Sequence, residues 1–101
     1  QMYADDVPWS NLPLLFFLYE APKTGRLEIA TPISTRSIPA VQLCMVACLN
    51  FANNLCKSIN FNPSLRRCEL LATVESAGAT LRNTAGFVHY EVSSDKQQRL
   101  T

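Results

Sequence analysis

Cys44-Met45-Val46-Ala47-Cys48, then Cys56-Lys57-Ser58-Ile59-Asn60-Phe61-Asn62, then Cys68-Glu69-Leu70, is the stretch on which the fold turns. Its four cysteines, the only ones in 101 residues, are spaced C-x3-C-x7-C-x11-C. An even number in so short a chain fits a disulfide framework and an oxidising compartment. The rival reading is an intracellular zinc site. Structural zinc sites draw thiolates from close pairs such as C-x2-C, because two of them must converge on one tetrahedral ion. Here the second end has no close pair, and the single histidine, His89, is remote. The spacing favours bridges over a metal, and no cofactor is expected.

The first two cysteines sit in the best helical segment, from about Ile38 to Asn54. Ser37 can cap it, and Pro39 is tolerated in a first turn, where its missing N–H would have no partner anyway. At about 100° per residue, Val41, Cys44, Met45, Cys48, Leu49, Phe51, Ala52 and Leu55 share one arc. Gln42, Asn50, Asn53 and Asn54 fall opposite, with Leu43 and Val46 as apolar residues on that polar side. Cys44 and Cys48, at i and i+4, both point into the core. Beyond the helix, residues 57–62 alternate, with Ile59 and Phe61 opposing Ser58 and Asn60, which is a strand period. Asn62-Pro63-Ser64 makes a turn, and residues 66–72 return as a second strand carrying Cys68.

Further out the signals weaken. Residues 1–13, with Trp9, Pro8 and Pro13, read as an irregular arm. The apolar run of residues 14–19 is a strand candidate buried on both faces. Pro22-Lys23-Thr24-Gly25 is turn chemistry, residues 26–31 alternate as a strand, and residues 31–37 are a Ser/Thr-rich connection. Residues 73–86 read as a long polar loop. Residues 87–92 form a closing strand with Val88, Tyr90 and Val92 on one face, which leaves His89 facing solvent. Residues 93–101 are polar and aperiodic, as expected of a tail. The domain is thus expected over 14–92. No basic n-region precedes the apolar run, which is also too short to cross a bilayer, so the chain reads as a mature protein or an excised fragment.

The segment quoted at the outset resembles the PAN/apple signature: C-x3-C on a helix, a third cysteine opening a strand with an aromatic, and a fourth in C-x-L on the returning strand. Gly86-Phe87-Val88-His89-Tyr90-Glu91 is similar to the closing strand of that family. The resemblance implies an α+β fold of hairpin-loop type, a curved antiparallel sheet cradling one helix and stapled by two disulfides. It implies nested bridges, Cys44–Cys68 outside Cys48–Cys56. Apple domains proper add a third bridge joining the termini, for which this chain has no cysteines, so it is similar to the smaller four-cysteine class. Loop-closure entropy would make the two bridges worth about 3.5 and about 2.6 kcal/mol.

Function is bounded more by what is missing. The net charge of +1 and the lack of any basic run beyond Arg66-Arg67 give no case for nucleic acid. No Gly-rich phosphate loop is present, the acids are dispersed, and bridged cysteines cannot act as nucleophiles. Family resemblance implies a non-catalytic extracellular or secreted module that binds proteins, as in adhesion, or carbohydrates, in a lectin-like way. Self-association, or a place within a multidomain chain, is the further alternative. No membrane insertion is expected. The residues proposed to meet a ligand are Lys57, Asn62, Arg66 and Arg67, a basic hairpin end suited to an acidic glycan. Trp9, Phe16 and Phe17 are weaker apolar candidates.

Overall fold

Residues 15–29 and 31–93 are described by the computed structural model. The arm expected over 1–13 and residues 94–101 of the expected tail lie outside them.

The helix forms where apolar residues run without a break. Helix α1 spans Val41–Leu49, and its six residues from Cys44 to Leu49 are all buried. It is shorter than the sequence pattern predicts, and each end has a local cause. Proline disfavours helical geometry in the residue before it. The helix accordingly starts after Pro39, with extended Ala40 as its N-cap and no side-chain cap. Ser37 belongs instead to a strand. At the other end Asn50 donates its side-chain N–H to the Val46 carbonyl, and Asn53 and Asn54 take left-handed φ of 59° and 54°. Asparagine tolerates that region better than most residues. The asparagines therefore terminate the helix and do not form a polar stripe along it. Val46, expected on the polar side, is buried, whereas Ala52 and Leu55, expected in the core, are exposed.

Helix α1 is covered in part by the segment that precedes the first strand. The run expected as a strand over 14–19 forms a 3-10 turn over 15–18, followed by an isolated bridge from Tyr19 to Val92. Leu15 in the turn and Tyr19 in the bridge are buried, and Phe16 and Phe17 are exposed. The Tyr19 hydroxyl donates to the Met45 carbonyl at 2.8 Å, and burial holds its acidity well below that of a free phenol, its pKa pushed well up.

The helix also packs on a five-stranded antiparallel sheet of order β1-β7-β4-β5-β3. Its strands are β1 (Lys23–Thr24), β3 (Ser34–Ser37), β4 (Ser58–Asn62), β5 (Arg67–Leu71) and β7 (Val88–Glu91). The β4–β5 hairpin matches the alternation in the sequence, with Ile59 opposite Leu70 and Phe61 opposite Cys68. Both edge strands depart from expectation. The Ser/Thr-rich connection pairs with β5, and the expected turn at 22–25 is a two-residue strand beside β7. Cys44 is bonded to Cys68, tying α1 to β5, and Cys48 to Cys56 just ahead of β4, with Cα separations of 5.7 and 5.2 Å.

The far face of the sheet is covered as well. Residues 73–86 are not one loop: they hold a 3-10 turn (Glu75–Ala77) and strand β6 (Thr80–Arg82). Strand β6 pairs with β2 (Arg26–Glu28) in a separate two-stranded sheet that covers the face opposite the helix. The chain crosses from one sheet to the other at Gly25. There φ is 125°, and an added Cβ would lie 2.6 Å from the Arg82 carbonyl oxygen, so only glycine fits.

Candidate functional site

Strand alternation sends Ile59 and Phe61 of β4 toward the helix and Ser58, Asn60 and Asn62 toward the β2–β6 cover. One register row on the covered side runs Lys23, His89, Asn60, Glu69, Thr35 across five strands. In this row a buried polar network replaces the apolar contacts that usually join two layers.

Asn60 is its centre. Its Oδ1 accepts the Leu27 N–H at 2.9 Å and its Nδ2 donates to the Leu27 carbonyl at 3.0 Å, so the amide pairs with β2 as another strand would. The same Nδ2 donates to Glu69 at 3.1 Å, and Oδ1 meets His89 Nδ1 at 2.9 Å. Glu69, 2% exposed, is gripped by the Arg26 guanidinium through two bonds, with Arg67 at 3.6 Å. Arg26 also lies over the Phe87 ring, 5.1 Å from its centre. Burial pushes the Glu69 carboxyl up. The Arg26 and Asn60 hydrogen bonds and the two guanidinium charges outweigh it and hold the group below the usual carboxylate range.

A second carboxylate ends the network. Glu91 accepts the Glu75 N–H at 2.7 Å and meets His89 Nε2 at 2.9 Å, both at Oε2, while Lys23 stands 4.0 Å from its Oε1 and bonds Glu75 at 2.8 Å. Burial again raises Glu91, and the Glu75 amide, His89 and Lys23 together bring it below the ordinary range.

His89 was expected to face solvent and is instead 0% exposed. The cause is the cover: with residues 73–86 read as a loop, nothing in the sequence closed that face of β7. Of the acids that look dispersed in the sequence, Glu69, Glu75 and Glu91 are gathered here, each held by its own neighbours. Among the described residues no buried side-chain nitrogen or oxygen lacks a partner, and no cluster of His, Cys, Asp or Glu could hold a metal. The network fastens the cover to the sheet, and it leaves no unpaired group for a ligand.

The residues picked from the sequence fall in two places. Asn62 is buried and accepts the Leu65 N–H, fixing the β4–β5 turn, and Gly86 packs closely against its side chain. Arg66 and Arg67 stand exposed on that turn. Lys57 lies at the opposite end of β4, about 16 Å away at strand rise, so it does not join them. Sequence reasoning missed Leu65, which is 63% exposed at the tip. It also missed that Arg66 holds a left-handed φ of 53°. A non-glycine residue there is strained by about 1–2 kcal/mol, and such strain concentrates at functional surfaces. The Asn62-Pro63-Ser64 turn signal was the clue available for both.

A family model described as the PAN domain matches residues 19–94. No curated protein matches the chain.

Proposed function

The chain belongs to the PAN domain family, and on that premise we propose that it is a non-catalytic extracellular module that binds a protein partner through its β4–β5 turn. The family is one of protein- and carbohydrate-binding modules typical of extracellular proteins. Among the described residues no helix is long and apolar enough to cross a membrane.

The observation that carries the reading is the turn itself. It is rigid, because Asn62 caps Leu65 from within, Arg66 N–H bonds the Pro63 carbonyl, and the Arg66 carbonyl accepts the Ile38 N–H. It presents exposed Leu65 next to exposed Arg66, with Arg67, which also reaches Glu69, opening the strand that follows, so that an apolar contact lies beside charge. So small an anchor gives modest affinity for one domain, reinforced where neighbouring modules or self-association supply avidity. The arginine pair also supports a second reading, an acidic glycan. The test is to titrate the oxidised domain against arrays of extracellular proteins and of glycans. Saturable binding to a protein without a dose-dependent sugar signal supports the first reading, and a saturable signal confined to acidic sugars replaces it with the second.

A further inference from the structure

Each ring nitrogen of buried His89 meets an oxygen at 2.9 Å: Nδ1 meets Asn60 Oδ1, and Nε2 meets Glu91 Oε2. Asn60 cannot turn to offer its amino group, because reversing the amide would break both of its bonds to the Leu27 backbone. Nδ1 is therefore a donor. Glu91 Oε2 already accepts the Glu75 N–H at 2.7 Å, which marks it as an unprotonated oxygen, so Nε2 donates as well. A ring that donates from both nitrogens carries a hydrogen on each and a positive charge, which Glu91 balances. The other charged groups around it are few. Lys23 stands opposite His89 in the β1–β7 register, and Glu75 and Glu20 lie about Lys23. Beyond Asn60 is the Arg26–Glu69 pair.

We infer that the second proton of His89 pins two separate stretches to the sheet, strand β2 through Asn60 and the Glu75–Ala77 turn through Glu91, so that its removal loosens both together. Release of that proton to solvent leaves one hydrogen for two oxygens. On Nδ1 it leaves the Nε2 lone pair facing a carboxylate, and on Nε2 it leaves the Nδ1 lone pair facing the Asn60 oxygen. Either repulsion is relieved only by moving Asn60, which holds Leu27, or Glu91, which holds Glu75. The two clefts beside the network, of about 360 Å³ at Arg26 and Glu28 and about 440 Å³ at Lys23 and Glu75, are walled by these same stretches. The accessible shape of the covered face therefore depends on pH.

Because His89 is the only histidine, the ¹⁵N-labelled chain with both bridges intact reports its ring state without ambiguity. Where both ring contacts of the structure are made, both ring nitrogens carry hydrogen. As the ring gives up one proton with rising pH, amide exchange at Leu27 and Glu75 accelerates at least about tenfold relative to Leu70, after correction for base catalysis, on the scale of one lost hydrogen bond. Glu91→Gln removes the negative charge that balances the ring; a neutral ring then turns the Nε2 lone pair outward, the glutamine amino group meets it, and the amide oxygen leaves the Glu75 N–H, so that amide exchanges faster than in the parent. A ring that is neutral while the Leu27 and Glu75 amides remain fully protected, or a titration that leaves both amides as protected as before, overturns the inference, and the unaltered protein decides if the variant does not fold.

Discussion

Asn60→Asp is nearly isosteric and isolates what the buried amide does. Oδ1 keeps an acceptor toward Leu27 N–H and His89, but Nδ2 becomes an oxygen 3.0 Å from the Leu27 carbonyl and 3.1 Å from Glu69 Oε1. Two donor bonds turn into two acceptor–acceptor contacts. Leaving a buried polar group unsatisfied costs about 1–3 kcal/mol, so the loss over the two contacts is about 2–6 kcal/mol, a large share of the 5–15 kcal/mol typical of a domain. Two carboxyls so close do not both ionise readily, so the pair takes up a proton more readily than Glu69 alone does in the parent, and that proton restores the bond between them. Asn60→Ala serves as the control, since it removes the bonds without adding an acid. The assay is urea unfolding of the oxidised proteins across a pH series. The Asp variant should fall at or below the Ala variant at neutral pH and gain on it as pH drops into the carboxylate range. An Asp variant within about 0.5 kcal/mol of the parent at neutral pH, the scatter expected of a neutral surface change, would refute the pairing of Asn60 with β2.

Other expectations can be read in the same unfolding experiments. Replacing Cys44 and Cys68 by alanine should cost about 3.5 kcal/mol and replacing Cys48 and Cys56 about 2.6 kcal/mol; a thermal midpoint indifferent to reductant would contradict a structural role for the bridges. Glu69 and Glu91 both lie below their usual range when folded. Their contribution is therefore complete above the unfolded value of about 4.3 and is lost as pH falls through the lower folded values. A Glu69→Gln variant should flatten that acid-side decline, and an unchanged slope would count against the Arg26 pairing. Gly25→Ala should cost about 2 kcal/mol or more, from its positive φ and its close approach to the Arg82 carbonyl. An unaltered urea midpoint would mean that the crossing between the sheets is not where the structure places it.

How much of this was legible beforehand follows from the range of each signal. The β4–β5 hairpin, the helix and the closing strand carry their periods within themselves, and Cys44, Cys48, Cys56 and Cys68 carry the family pattern. The edge strands do not. Ser34–Ser37 is a strand because β5 lies beside it with Glu69 opposite Thr35, and Ser/Thr composition suits a connection equally well. Thr80–Arg82 is only three residues and pairs with a segment more than fifty positions earlier, so no local pattern reveals it. From that one omission came the misplacement of His89, because the face of a strand is solvent or core according to what covers it. The buried network was invisible for the same reason: Asn60, Glu69, His89 and Glu91 are ordinary polar positions until the register aligns them. Phe16 and Phe17 show the converse, since a continuous apolar run does not say which of its residues are buried.

The claim that binding is done by the β4–β5 turn is tested most directly by one titration, that of a captured partner with the oxidised parent, Leu65→Ser and Arg66→Gly, each checked for its unfolding midpoint. Leu65 is exposed, and glycine relieves the left-handed strain at Arg66, so both variants should be as stable as the parent, the second by up to about 1 kcal/mol more. Both should nonetheless weaken Kd by about tenfold or more, as loss of a central contact does. Variants that retain the parent's Kd at unchanged stability would place the binding surface elsewhere on the domain.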